Sequence, residues 1–202
     1  MSTNQDLITR VRSVIHEPIT VDHPRRTDVE ILQWLQDGQL DYVGRVPAEN
    51  FPELTTSQTF SGSAVALPAN YFMFHGCTVS HTLSGTVTAR DECFLLHPGD
   101  SYLPNNYPGF MGAWAQVTGS TLTCGPYVYS GTLTYLKTPA TISSSAGTFP
   151  LSVEHEAAVV RYAAAMALLK VNDADSDYWM NQYEAAVGAK GGERMSKEIE
   201  RA

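Results

Sequence analysis

His75, Cys77 and His81 are the residues whose types and spacing come nearest to a chemical site. At i, i+2 and i+6 they share one face of a β-strand. Imidazole and thiolate are zinc ligands, and Cys93 or His97 can complete a set. A strand rising about 3.3 Å per residue nevertheless spreads the three over roughly 20 Å, too far for one ion. Only a β-bulge would gather them, so they read as ordinary barrel or interface residues. No metal and no cofactor are expected.

Other constellations are weaker. Gly99-Asp100-Ser101 has the residues of a lipase-type nucleophile turn, but it sits among prolines with no late Asp-x-x-His partner. His155, between Glu154 and Glu156, belongs to the first turn of a helix. G-x-S-x-G, P-loop and G-x-G-x-x-G patterns do not occur, so no catalytic residue is expected. Asp173, Asp175 and Asp177 alternate like part of a calcium loop, yet the loop's glycine and closing Glu are missing. Helix capping explains them better. Trp114, Tyr102, Tyr107, Tyr127 and Tyr129, with Asn105 and Asn106, can line a shallow ligand site, though aromatics in a turn-rich β domain more often serve the core.

The elements around these residues fall into three stretches. Leu7, Val11, Val14 and Ile15 mark one face of a first helix ending before Pro18. Thr27 and Glu30 form a capping box for a second helix, whose buried face carries Ile31, Leu35, Gly38 and Tyr42, widened by Leu32 and Leu40. The pair Arg25-Arg26 before it reads as solvated, or as an interface anchor. From Ser57 to Thr138 short β-type runs alternate with turns such as Ser84-Gly85, Thr118-Gly119 and Ser130-Gly131. These predict a small antiparallel barrel or sandwich over 51–138, inserted between helical ends. Pro139 to Pro150 reads as a mobile loop, or one ordered by a partner. Ser152 is expected to cap a third helix with a buried stripe of Val153, Ala157, Val160, Ala164, Leu168 and Val171. A fourth carries Tyr178, Trp179, Tyr183 and Val187 and stops at Gly188, leaving 191–202 as a flexible charged tail. The fold class is therefore α+β, a bundle of N- and C-terminal helices with a β insert.

Charge bounds the function. The net charge is −8, distributed as −3 over 1–50, −2 over 51–150 and −3 over 151–202, with no basic patch for tight binding to DNA phosphates. Between Phe51 and Pro150 the only basic residues are Arg90 and Lys137, while 26 residues are Ser or Thr. A β surface so poor in charge is weakly protected against edge pairing, which suggests assembly rather than catalysis. Three widely spaced cysteines argue against a disulfide framework, and no run is apolar enough to span a membrane. The polar start Met1-Ser-Thr-Asn-Gln-Asp6 has no signal-peptide core, so folding in a reducing cytoplasm is expected.

The order of parts carries a resemblance. Thr27-Asp-Val-Glu-Ile-Leu-Gln-Trp-Leu-Gln-Asp-Gly-Gln-Leu40 leads to Leu67-Pro-Ala-Asn-Tyr71; Tyr135-Leu-Lys-Thr-Pro139 precedes Pro150-Leu151, an Ala-rich helix and an aromatic one opened by Asp173 to Asp177. This resembles the head-to-tail adaptor (connector) proteins of tailed bacteriophages that carry a β domain inserted in a helical bundle. The sequence departs from the family pattern at Asn70, where an Asp is common, and in its charge-poor insert. The resemblance implies a structural virion protein of the neck, assembled in the host bacterial cytoplasm. It implies a homo-oligomeric ring of about twelve copies under the portal protein, met below by a tail or nozzle protein. Double-stranded DNA would pass through the lumen without specific binding, and no membrane would be involved. Candidate portal or ring contacts are Arg25, Arg26, Lys190, Arg194, Lys197 and Arg201. The alternative is a β-rich ligand- or glycan-binding module of a tail or baseplate.

Overall fold

A computed structural model describes the backbone of residues 2–17, 26–83, 86–96, 113–125, 128–171 and 173–201, and the side chains of these except 81–83, 86–90, 129 and 192–201. The chain divides into two compact units, Met1–Leu54 with Pro139–Ala202, and Thr55–Thr138. The class is α+β.

Among the described residues the first unit contains the α-helices α1 (Asn4–Val14), α2 (Asp28–Arg45), α3 (Val153–Leu169) and α4 (Asp175–Arg201). Thr27 and Glu30 form the expected capping box, each satisfying an orphan amide at the start of α2. Thr3 and Asp6 do the same for α1. Ser152 occupies the N-cap position of α3, but its hydroxyl donates to Glu154 and caps no backbone amide. The buried face of α2 is the predicted one, with Gln39 and Val43 added and Leu40 only half-buried.

The α3 stripe differs from expectation. Val153 and Ala157 are exposed, as is Val171 beyond the helix, whereas His155, Glu156, Ala158, Val159, Ala163, Ala165 and Ala167 are buried. The helix packs against α1, α2 and α4, so most of its circumference is interior and its alanines set the spacing. Gly38 meets Tyr162 closely: a Cβ at Gly38 would lie 2.7 Å from the ring. Tyr183 of α4 is fully buried and donates to Asp41, and Arg45 pairs with Glu184.

Three further readings are corrected here. Helix α4 continues through Gly188 and Gly191 to Arg201, so the stretch read as a flexible tail is helical backbone. The Pro139–Pro150 segment is laced to its own unit: Gln39 donates to Ala140 O, Gln36 accepts from Ile142 N, and Asn4 binds Ser144 O and Gly147 O. Phe149 is fully buried and its amide donates to Ser2 O. Arg26 is neither solvated nor free to anchor a partner. Its side chain is buried, its Nε donates to Ala167 O at 2.9 Å, and its guanidinium lies 3.9 Å from Glu17. Arg12, also buried, donates to Glu17, to Asp28 and to Arg26 O. Charges this deep persist because each is paired and hydrogen-bonded.

The second unit contains β1 (Thr55–Ser61), β2 (Ala64–Ala66), β3 (Tyr71–Leu83), β4 (Thr86–Glu92), β5 (Phe94–Leu96), β6 (Trp114–Thr118), β7 (Thr121–Gly125) and β8 (Val128–Lys137). They form two four-stranded sheets, β1-β8-β3-β4 and β2-β7-β6-β5. One apolar core joins residues of both, among them Phe60, Cys77, Val79, Leu122, Leu133 and Tyr135, as in a sandwich. Among the described strands, pairing is antiparallel except between β5 and β6, which run parallel. The predicted Ser130-Gly131 turn is instead interior to β8. Gly131 lies opposite Phe60 of β1, and the Phe60 ring fills the space its side chain would occupy.

Gly131→Val would place a Cβ 2.4 Å from that ring and 2.8 Å from the Thr78 carbonyl. Urea unfolding should show the β unit destabilised by about 1–3 kcal/mol, the cost of overpacking. Arg26→Met should destabilise the helical unit by about 3 kcal/mol. A solvated arginine would change it by less than about 0.5 kcal/mol, which would return the residue to the surface.

Candidate functional site

Two of the resemblance-bearing motifs are joined in space in the β unit. Asn70, just before β3, accepts a hydrogen bond from the Tyr135 hydroxyl at 3.1 Å. Its carbonyl accepts from the backbone amide of Thr138 at 2.7 Å and from the Thr138 hydroxyl. Tyr71 and Tyr135 pack their rings 5.7 Å apart. Leu67-Pro-Ala-Asn-Tyr71 and Tyr135-Leu-Lys-Thr-Pro139 therefore form one clasp, with the unusual Asn70 as its centre. Both Thr138 bonds go to the Asn70 main-chain carbonyl, so only the Tyr135 bond depends on the side chain, and a carboxylate at position 70 could accept that one equally.

The outward face of β1, β8 and β3 is an array of hydroxyls. Thr59, Thr132 and Thr78 lie side by side in one row, and Ser61, Ser130 and Ser80 in the next. They line a shallow recess of about 410 Å³. Alternate residues Phe60 and Val79 turn into the core, so the period of two that buries one face leaves the other with hydroxyls alone. Of the charged residues on the described strands, Arg90, Asp91 and Glu92 fall on the edge strand β4 and Lys137 ends β8. The edges β2 and β5 have three residues each. Edge strand β1, seven residues long, has no charged residue.

Inside the sandwich, Cys77, Cys93 and Cys124 bring their sulfurs within 4.8 Å of one another. Cys77 and Cys124 are 3.8 Å apart. All three are buried free thiols. Cys77 is on β3, Cys124 on β7, and Cys93 is the residue between β4 and β5, where the chain passes from one sheet to the other. The Cys93 amide donates to Cys77 O at 2.8 Å, which fixes the crossing point against β3. The thiols of Cys124 and Cys93 favour the ionised form of Cys77 by donating to it. Cys93 and Cys124 are pushed up by the same sharing and by burial.

The spacing argument holds for His75, which is not part of this group, while the His81 side chain and His97 lie outside the described residues. Cys124 was the residue sequence reasoning missed. Its only signal was parity, since Leu122 and Cys124 alternate inward on a short strand.

The remaining candidates disperse. His155 is fully buried, its Nε2 2.9 Å from Asn50 O and its Nδ1 3.4 Å from the Tyr42 hydroxyl. Asp173 accepts from the Asp175 amide at the start of α4, as the capping reading expects. Trp114 lies over Gly125 with its indole nitrogen buried and unpartnered among the described residues. Gly99-Asp100-Ser101, Tyr102, Asn105, Asn106, Tyr107, Tyr127 and Arg25 lie outside the described residues, as does the side chain of Tyr129. Lys190 is half-buried on α4; Arg194, Lys197 and Arg201 follow on the same helix, their side chains not among those described. Among the described residues no helix is long and apolar enough to cross a membrane.

A search of curated protein sequences finds no match. The sequence profile of the family described as SU10 adaptor protein matches residues 2–201. The match runs through the capping box of α2, the clasp at Asn70 and the whole of α4. The chain belongs to the SU10 adaptor protein family, the phage adaptor proteins that its order of motifs resembles.

Proposed function

We propose that this adaptor forms a homo-oligomeric ring of about twelve copies that seats under the portal protein, lengthens the DNA channel and presents a platform to a tail or nozzle protein. The observation that carries this reading is the family match across nearly the whole chain. The role is structural rather than catalytic. Neighbouring copies meet through the charge-free edge of β1 and the hydroxyl rows beside it, where contacts are polar and hydrated. The C-terminal part of α4, with Lys190, Arg194, Lys197 and Arg201, docks on the portal; Arg25 remains a further candidate. Arg26 does not, being committed to Glu17 and Ala167. The net charge of −8 favours a lumen that repels DNA phosphates, so that the duplex slides past without sticking. The place of action is the virion neck, after assembly in the host cytoplasm.

Negative-stain microscopy of the purified chain mixed with its cognate portal should show an added ring. Absence of binding at every salt concentration would sink the portal assignment. Deleting 191–202 should weaken portal binding and reduce its salt dependence, because exposed ion pairs are screened. Thr59→Lys, on the outward face of β1, should reduce ring formation while leaving the circular dichroism spectrum unchanged. An undiminished ring would place the lateral contact elsewhere.

A further inference from the structure

The geometry points to a binding site for one thiophilic d10 metal ion, Zn²⁺ or Cu⁺, held by the sulfurs of Cys77, Cys93 and Cys124 inside the β sandwich. The chain has three cysteines, far apart in sequence, and all three sulfurs converge within 4.8 Å. Metal–sulfur bonds of about 2.3 Å place sulfurs about 3.8–4.0 Å apart in tetrahedral or trigonal sites. The Cys77–Cys124 separation is 3.8 Å, already at that value. The third sulfur lies within 4.8 Å of the other two, so a shift of about 1 Å, within the reach of one side-chain torsion, brings it to that spacing.

Sulfur ligands select soft ions, and a set of three suits Cu⁺ in a trigonal site or Zn²⁺ with a fourth donor from solvent or a side chain. Binding converts each thiol to a thiolate, forms a metal–sulfur bond and releases the proton to solvent; no oxidant is involved. Because the sulfurs are buried, the ion enters as the sandwich folds, not by diffusion into the finished core.

The location gives the ion a task. The three ligands come from one sheet, from the other, and from the crossing between them. A bound ion would tie the sheets together at Cys93, where the chain leaves β4 and enters β5. Van der Waals packing of three thiols is the alternative, and it makes a different prediction: no stoichiometric metal and no dependence on chelator.

The test uses the untagged full-length chain purified under reducing conditions. Elemental analysis should find one zinc or copper per chain, and unfolding in a strong chelator should release it with three free thiols. The chelator-stripped chain should unfold at a lower temperature than the loaded one, a difference lost in Cys124→Ala. Refolding the wild-type chain with Cd²⁺ or Cu⁺ should produce sulfur-to-metal charge-transfer absorption saturating at one ion per chain. The wild-type refolding experiment decides the matter even if the variant does not fold. Refolding without charge transfer overturns the site, as does a Cys77–Cys124 disulfide found after alkylation and mass mapping. Binding at scattered stoichiometry that survives Cys124→Ala also overturns it.

Discussion

Burial of the alanine-rich α3 against helices drawn from both ends of the chain is the interaction on which the helical unit depends. Ala163, Ala164, Ala165 and Ala167 are almost entirely removed from water, and Gly38 lets α2 come close enough for its backbone to meet Tyr162. Small residues add little apolar area each, so this core relies on close approach more than on bulk. Close approach leaves little tolerance for an ill-fitting neighbour. That explains why the charges inside this unit are so fully paired, at Arg12, Glu17 and Arg26 and again where Glu156 holds Arg10 and the Ser2 amide.

The two halves of that core are separated by the whole of residues 55–138. Closing a loop of that length carries an entropic cost, and the β unit lessens it by its own topology. Its first and last strands are neighbours, with Thr55 opposite Leu136, so folding of the insert alone brings its two ends together. The Asn70 clasp holds the end of β8 to the start of β3 in the same unit.

Much of this was legible in the sequence, and the parts that were not share a cause. Capping residues act within one turn, so Thr27 and Glu30 could be read directly, and so could the face of α2 that starts beside them. The insert was legible from composition, because turn residues and β-branched runs are local signals. Arg26, Gly131 and Cys124 were misread or missed because each is determined by a residue far along the chain: Glu17 and Ala167, Phe60, and Cys77 with Cys93. The α3 stripe failed for a related reason, since a single amphipathic face presumes one buried side, and α3 is covered on several. Gly188 and Gly191 read as stops, yet glycine inside a helix costs only about 1 kcal/mol relative to alanine, and α4 runs through both. The insert's charges are few and unevenly placed, with Arg90, Asp91 and Glu92 on the edge strand β4 and Lys137 at the end of β8.

The pairing of β1 with β8 has an evolutionary side. A module whose two ends emerge from adjacent antiparallel strands, about 5 Å apart, can be exchanged between host proteins by joining it at a single surface turn. Recombination at residues 54–55 and 138–139 would swap the entire sandwich and leave every residue of the alanine core untouched. Recombination could in this way exchange the sandwich while keeping the helical part unchanged, and the two units of one chain could have separate ancestries.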